Sequence, residues 1–459
     1  MDSTAETRLI HHLVETPDGA IPGSALAAAR RFALDTLAVG LAGTAHPSQP
    51  GIIAAARHWG AGDEASVWGE AISLPASQAA FVNAFQAHAL EFDAIHEAAV
   101  VHAMTPVLAA ALAEAERQSA VDRTVSGARL LGALVLGLDL ACTIGAASRG
   151  PMRFFRPATA GMFGAYGAVA RLRGFDAARA AAGAGLLLGQ IPGTMQAHHE
   201  GSVALAVQMG FAAAAGFRAA DLAQAGLAGP AAWLSGPSGF LALTEPAHDL
   251  APGLAALGTA WQVEQLSHKP FPSGRLTHPA IDGVQRLLAR GGIDVARLEQ
   301  VRLLLPPLAM RLVGRPLVAA LSANYARLCL PYVVATTLRF GTVGLADFTP
   351  ARLADPATLA LAARVAMLPD GSTDENAVVP QAIEIVMQDG ATRRVAVEAA
   401  LGSPANPLDD AAQMAKAEAC AAAARHPMTP PRLQEVARLV EDLASLEDVA
   451  VLARALRAG

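Results

Sequence analysis

Apolar residues recur along most of the chain at the three- and four-residue spacing of buried and amphipathic helices. The first predicted helix runs from Ser24 to about Leu41 and ends near Gly43. Further helices are predicted over residues 52–59, 73–90, 106–116, 125–147, 163–172, 177–188 and 202–224. Up to about residue 260 no stretch convincingly predicts a strand, so the pattern predicts a large helical assembly.

The pattern changes after residue 265. Pro270 and Pro272 exclude a helix over residues 269–275, because proline fixes φ and lacks an N–H group. A helix is predicted over 278–289, and another over 324–338 that Pro331 bends or splits. Strands are predicted over 301–305 and 365–368, and a hairpin joins 382–387 to 392–398 around Asp389-Gly390. Two closing helices, 408–424 and 431–456, are expected to rejoin the first helical assembly.

Composition restricts the classes of protein that fit. The chain has 459 residues, which favours two domains, and is 53% hydrophobic and 16% charged. A net charge of −6 without a basic tract argues against nucleic acid as a partner. The apolar runs are short for a membrane span and carry Gly and Asp, and residues 1–8 lack an apolar signal core. Cys142, Cys329 and Cys420 are scattered, as expected of buried thiols in a reducing compartment. We therefore expect a soluble cytoplasmic protein that does not bind membranes.

Residues 91–106 concentrate groups that can move a proton. The segment contains Glu91, Asp93, His96, Glu97 and His102 between two long apolar runs. A carboxylate next to an imidazole sets its tautomer and raises its pKa, which suits acid–base catalysis. A solvated loop between two helices explains the same spacing equally well, and both readings stay open here.

A second polar cluster lies on the proline-framed loop. Lys269, Arg275 and His278 can present fixed cations to a carboxylate, and Arg153 and Arg156 are further candidates. His198, His199 and Glu200 form a third group, and Tyr325 or Tyr332 is a possible proton donor. For each of these sets a surface or packing role is the competing interpretation.

The sequence lacks a Gly-rich nucleotide loop, a Ser nucleophile elbow and a Cys/His metal spacing. By elimination, this favours proton transfer without a cofactor or a metal.

Four motifs, in their order and spacing, resemble the MmgE/PrpD family of dehydratases, decarboxylases and epimerases that act on small carboxylates. The resemblance covers nearly the whole chain. Its motifs are Arg31-Phe32-Ala33-Leu34-Asp35-Thr36-Leu37, the stretch 83–102 with His88-Ala89-Leu90-Glu91-Phe92-Asp93, Thr159-Ala160-Gly161 with Phe163-Gly164, and 269–282 with Lys269-Pro270-Phe271-Pro272 and Thr277-His278.

The resemblance implies a mostly α, α+β fold. A large all-helical domain would comprise residues 1–265 and 405–459, and a smaller α+β domain residues 266–404, with the active site in the cleft between them. It also implies a homodimer, a small carboxylate substrate and no cofactor. By motif position, the expected catalytic residues are Asp93, His102, Lys269, His278 and Tyr332. The expected substrate-binding residues are Glu91, His96, Arg156 and Arg275.

The sequence departs from the family pattern at several site positions. Ala94 and Ile95 stand where the family usually has Asp and Thr. Arg156 and Gln208 each stand where a histidine is common, and Leu205 stands where a lysine is common. Gly274 stands where the decarboxylases have a histidine. These departures make decarboxylation the least favoured activity of the family. Three hypotheses remain: a hydro-lyase, an epimerase that uses the same proton abstraction, and a diverged binding protein.

Overall fold

Helices form most of the first 260 residues, as the Ala-rich periodicity predicts. The computed structural model describes residues 4–458. Within this first part the α-helices are Ala5–Glu15, Gly23–Gly43, Gln49–His58, Ala76–His88, Met104–Ser119, Gly127–Ala146, Arg156–Thr159, Gly161–Leu172, Ala177–Leu186, Gln196–Glu200, Ala204–Gln224, Phe240–Thr244 and Ala251–Ala256. The mostly α, α+β fold class is confirmed.

Small residues allow the central helices to approach closely. Gly137 on Gly127–Ala146 and Gly164 on Gly161–Leu172 face each other, and a Cβ on either would come within 2.8 Å of the other's carbonyl oxygen. Gly127–Ala146 is long and apolar enough to cross a membrane, but 89% of its most apolar window is buried inside the protein, as in a core helix. The three cysteines are buried and unpaired.

The predicted absence of strands before residue 260 was wrong. Ala65–Ser66 pairs with Ser73–Leu74, so the helix expected from residue 73 begins only at Ala76, after Pro75. Ile95–His96 forms another two-residue strand, which pairs antiparallel with Leu266–Ser267. Strands this short carry no period that a sequence pattern could reveal.

The second part of the chain contains a four-stranded sheet. From one edge to the other the strands are Val365–Pro369, Leu298–Leu305, Gln381–Met387 and Thr392–Val397, with the first pair parallel and the others antiparallel. The α-helices are His278–Ala289, Pro307–Val313, Ala323–Ala326, Leu330–Phe340, Pro350–Leu353 and Pro356–Ala362. The sheet buries alternate residues such as Ile383 and Ile385 against His278–Ala289.

Three helices close the described chain: Asp410–Ala422, Pro430–Glu441 and Ala450–Ala455. The single helix expected over 431–456 is interrupted after Glu441 by a 3₁₀ turn, Leu443–Ser445. Asp410–Ala422 packs against Gly23–Gly43, where Lys416 Nζ lies 2.6 Å from Asp35 Oδ1. The chain thus returns to the first helices, while the domain boundaries at residues 265 and 404 stay a prediction.

Candidate active site

The acid- and imidazole-rich segment forms a buried, strained turn between Ala76–His88 and Met104–Ser119. Glu91 and Val100 both have φ of 51°. The left-handed region is unfavourable for residues other than glycine, above all for a β-branched one, and costs about 1–3 kcal/mol. Such strain persists only where the surrounding contacts hold it, and it concentrates at functional sites.

Asp93 lies at the centre of this turn. Its side chain is fully buried, and its Oδ2 lies 3.0 Å from His88 Nδ1 and 3.1 Å from His102 Nδ1. Thr105 donates a 2.6 Å hydrogen bond to the same oxygen. One carboxylate therefore orients two imidazole rings, whose centroids are 4.8 Å apart.

Lys269 joins the proline-framed loop to this turn. Its fully buried Nζ donates to the backbone oxygen of Glu91 at 3.1 Å and to Glu91 Oε2 at 3.0 Å. Both bonds hold the strained residue. The strand pair Ile95–His96 and Leu266–Ser267 brings the two segments together, so residues almost 180 positions apart share one cluster.

The carboxylates of the cluster are ionised. Burial raises the pKa of Glu91, but Lys269 and His88 outweigh it and hold that pKa well below its usual value. Burial likewise opposes ionisation of Asp93, and His102 and His88 hold its pKa well below normal. Burial lowers the pKa of His88, but Asp93 and Glu91 overcome it and raise that pKa to about 10. His88 is therefore an imidazolium between two carboxylates.

His102 has the opposite preference. Burial lowers its pKa and, together with the nearby cations Lys269 and His88, outweighs the attraction of Asp93. His198 is also neutral, because burial and the adjacent Arg315 lower its pKa to about 3. The site therefore combines one charged imidazole with two neutral ones.

A cavity of about 60 Å³ adjoins these groups and is lined by Glu91, His102, His198, Arg275 and mostly apolar residues. Arg275 Nε donates to Glu97 Oε1 at 2.7 Å, and its other nitrogens reach backbone oxygens. A volume of this size holds about two water molecules. A six-carbon acid would therefore require the cavity to widen.

Of the predicted site residues, the structure brings Glu91, Asp93, His102 and Lys269 into one cluster, with Arg275 at the adjoining cavity. His278 is buried beside Arg275, and its Nε2 lies 3.1 Å from the backbone oxygen of Ser273. Burial, Arg275 and Lys269 lower the pKa of His278 well below normal, so it is neutral.

Three other predicted residues are engaged within the protein. The ring nitrogens of His96 contact the Ala99 amide and Gln262 Oε1, which fixes the turn. Arg156 Nε donates to Glu245 Oε1 at 2.8 Å, and its other nitrogens contact Ser148 and the Ala99 carbonyl. The Tyr332 hydroxyl donates to the backbone oxygen of Asp347. The structure gives no support for substrate contact by these side chains, because their polar atoms already have partners.

Sequence reasoning missed two buried arginines. Arg315 Nη2 lies 3.1 Å from His198 Nδ1, and within residues 4–458 its Nη1 has no hydrogen-bond partner. Arg327 is 95% buried, with Nε and Nη1 also unpartnered in the described part of the chain. The charge of Glu91 acts on the pKa of both guanidinium groups. Each arginine is isolated in an apolar or proline-flanked stretch, which gave no local signal.

His88, Asp93 and His102 also offer possible metal-ligand atoms that all lie within 4.8 Å of one another. His88 Nδ1 hydrogen-bonds to Asp93 Oδ2 at 3.0 Å and His102 Nδ1 lies 3.1 Å from the same oxygen, so pairing of the imidazoles with the carboxylate accounts for the arrangement. The absence of a metal requirement stays a prediction.

Fold and site together define a mostly helical α+β protein with a buried acid–imidazole–lysine cluster suited to proton transfer. The chain belongs to the MmgE/PrpD family: the family's N-terminal domain matches residues 7–252 and its C-terminal domain residues 271–442. The resemblance stated above is therefore confirmed.

Three similar proteins have cis-aconitate decarboxylase in their names. Cis-aconitate decarboxylase from Homo sapiens is 25% identical over 446 residues, which cover 93% of this chain and 89% of that protein. The cis-aconitate decarboxylase-like protein oryM from Aspergillus oryzae is 28% identical over 383 residues, which cover 78% of this chain and 79% of that protein. Cis-aconitate decarboxylase from Mus musculus is 25% identical and covers 93% and 88%.

Proposed function

We propose that this protein is a lyase acting on a small carboxylate, and specifically a cofactor-independent hydro-lyase for a hydroxy-carboxylate. The observation that carries the proposal is the neutral His102 imidazole, oriented by ionised Asp93 and adjoined by the Lys269 ammonium. A base, its orienting carboxylate and a fixed cation are what proton abstraction next to a carboxylate requires.

His102 acts as the base. With Nδ1 protonated beside Asp93 Oδ2, Nε2 carries the lone pair that removes a proton from the carbon next to the substrate carboxylate. The electron pair of that C–H bond forms the C=C bond as the β-hydroxyl departs. The imidazolium of His102 then returns its proton to the leaving oxygen, which completes a molecule of water.

Lys269 and Arg315, which contact the cavity-lining residues Glu91 and His198, supply positive charge close to the substrate carboxylate as negative charge develops on it. Lys269 donates two of its three hydrogens to Glu91, and Arg315 retains an unpartnered Nη1 among the described residues. Cations fixed before the reaction do not have to reorganise in the transition state. Arg315 thus takes the substrate-binding role that was expected of Arg156 from the sequence.

The test combines a hydroxy-acid panel with deuterated water. The protein is incubated with citrate, 2-methylcitrate, related hydroxy acids and the aconitates in D₂O, and products are analysed by NMR and mass spectrometry. The proposal expects an unsaturated acid from at least one hydroxy acid, with solvent deuterium in recovered substrate. A complete lack of both across the panel would favour the diverged binding protein.

The names of the relatives make decarboxylation a competing activity. Two family positions argue against it: buried Leu205 replaces a common lysine, and Gly274 replaces the decarboxylases' histidine. A Cβ on Gly274 would lie only 2.4 Å from Leu328 Cδ2, so a histidine at this position would require the Leu328 side chain to shift. Release of CO₂ from cis-aconitate in the same panel would contradict this argument.

Epimerisation is the second candidate, and one observation favours it. His102 and His198 line the same cavity and are both neutral. In this reaction one imidazole would remove the proton from one face of a carbon, and the other, after taking a proton from solvent, would deliver it to the opposite face. Stereochemical inversion with deuterium uptake, but without an unsaturated product, would identify this reaction.

A further inference from the structure

A second, much larger cavity lies on the other side of the strained turn. Its volume is about 1520 Å³, and Leu90, Phe92 and Pro270, the chain neighbours of Glu91 and Lys269, line it. Its other walls come from the loop around Phe348 and from the helix Asp410–Ala422. Ligand pockets commonly occupy about 300–1,000 Å³, so this cavity has room for a sizeable molecule.

The lining of this large cavity is mostly apolar, and its charged side chains are cations. Among the described residues no Asp or Glu lines it. Lys416 is already satisfied, because its Nζ lies 2.6 Å from Asp35 Oδ1 and donates to the Phe92 oxygen at 2.9 Å. Arg327 is therefore the charged lining residue whose hydrogen-bonding capacity remains available.

The Arg327 side chain is buried, and two of its nitrogens lack hydrogen-bond partners among the described residues. Its guanidinium lies 4.7 Å from the Phe348 ring centroid, and Nε and Nη1 lack partners within residues 4–458. Burial lowers its pKa to about 10, so it remains charged at neutral pH. Burial and the Arg327 charge together lower the pKa of His46, another lining residue, to about 4. A buried cation without hydrogen-bond partners is costly unless an anion completes it.

We propose that the large cavity binds an amphipathic carboxylate, whose anionic head contacts Arg327 and whose alkyl chain lies along the apolar wall. A guanidinium can present a pair of parallel N–H groups to a carboxylate, formed by Nη2 with either Nε or Nη1, and the apolar wall rewards each methylene removed from water. This binding site goes beyond the proposed lyase reaction, and its test does not depend on turnover.

The experiment is isothermal titration calorimetry of the full-length protein with butanoate, hexanoate and octanoate, and with octanol as the uncharged probe. Affinity is expected to rise about fourfold for each added methylene. Octanol should bind about tenfold or more weakly than octanoate, because it lacks the charged hydrogen bonds.

Two variants locate the site. Ala419 is exposed and lines the cavity, so Ala419→Phe should fill part of it and remove the chain-length dependence. Ala411 is exposed on the same helix outside the cavity, and Ala411→Phe is the matched control that should bind like the wild type. Arg327→Met should erase the preference for octanoate over octanol. Because it removes an unpartnered buried charge, it is expected to fold.

Equal affinities across the chain-length series would overturn the proposal, as would octanol binding as tightly as octanoate. Unchanged octanoate binding in both Ala419→Phe and Arg327→Met would do the same. A hydroxy acid that carries a hexyl substituent is then titrated in the presence of octanoate. Competition would show that the cavity holds an alkyl group of the lyase substrate itself. Simultaneous binding would show that it holds a separate ligand. Either result supports the site.

Discussion

Two buried charge clusters in this protein differ in how completely their polar atoms are satisfied. Arg156 is paired with Glu245, and its remaining nitrogens contact Ser148 and a backbone carbonyl. The Asp93 cluster instead contains His88 Nε2 and His102 Nδ1, which make ion-pair contacts but no well-directed hydrogen bond among the described residues. His102 also lines a cavity, which Arg156 does not.

Under the proposed function, the difference separates a structural ion pair from a reactive cluster. A fully satisfied buried pair holds elements together, whereas groups that face a cavity with strained backbone and opposed pKa shifts are arranged for chemistry. Burial and charge alone, which the two clusters share, do not make this distinction. Variants in each cluster should therefore affect different measurements.

The largest effect is expected in the reactive cluster. His102→Gln and Asp93→Asn should each lower kcat about 10²–10⁴-fold, because they remove the base or the charge that orients it. The midpoint of thermal unfolding should change little in His102→Gln. Turnover within a factor of about three of the wild type in both variants would remove these assignments.

Arg156→Met should show the reverse pattern. Leaving Glu245 buried without its partner is expected to lower the free energy of unfolding by about 3–5 kcal/mol, measured by urea denaturation. Activity per folded molecule should stay near that of the wild type. A stable variant with a greatly raised KM would instead return Arg156 to the substrate site.

Lys269→Ala is expected to reduce kcat/KM about tenfold or more, because a fixed cation is lost beside the reacting carboxylate. The substitution also removes the hydrogen bond that Lys269 donates to the strained Glu91 backbone. Circular dichroism and thermal unfolding are therefore measured together with the kinetics, to show that the variant is folded. Arg311→Ala, at a half-exposed ion pair, provides the control for removing a cation elsewhere. Equal kinetics of the two variants would contradict the role of Lys269.

The smallest effect concerns pH. Activity needs unprotonated His102, whose pKa lies below its usual 6.5, so kcat/KM should be constant near neutrality and fall only under more acidic conditions. His88→Gln removes a cation that lowers this pKa, so the acidic fall in kcat/KM should move to higher pH. A fall in kcat/KM that moves to lower pH, or that does not move, would contradict the charged state assigned to His88.

Local patterns predicted much of this molecule and failed where long-range packing decides. Periodicity located most helices, and Pro331 does divide residues 323–340 into two helices. The Asp389-Gly390 turn joins the predicted hairpin, with Gly390 at φ of 83°. The interruption after Glu441 and the two-residue strands had no comparable signal.

The same limit applies to the site. Clustering along the chain revealed Asp93 and His102, because five titratable groups share one short segment. The partner of Arg156 is 89 residues away, so its structural role was invisible in sequence. Arg315 could not be predicted because only folding places it against His198, 117 residues away in the chain.

The most direct test of the central claim is solvent deuterium exchange at the carbon next to the substrate carboxylate, measured by NMR for wild-type, His102→Gln and Arg156→Met proteins. We predict exchange by the wild type and by folded Arg156→Met, and a loss of exchange of about 10²-fold or more in His102→Gln. Exchange that persists in His102→Gln but disappears in folded Arg156→Met would contradict it.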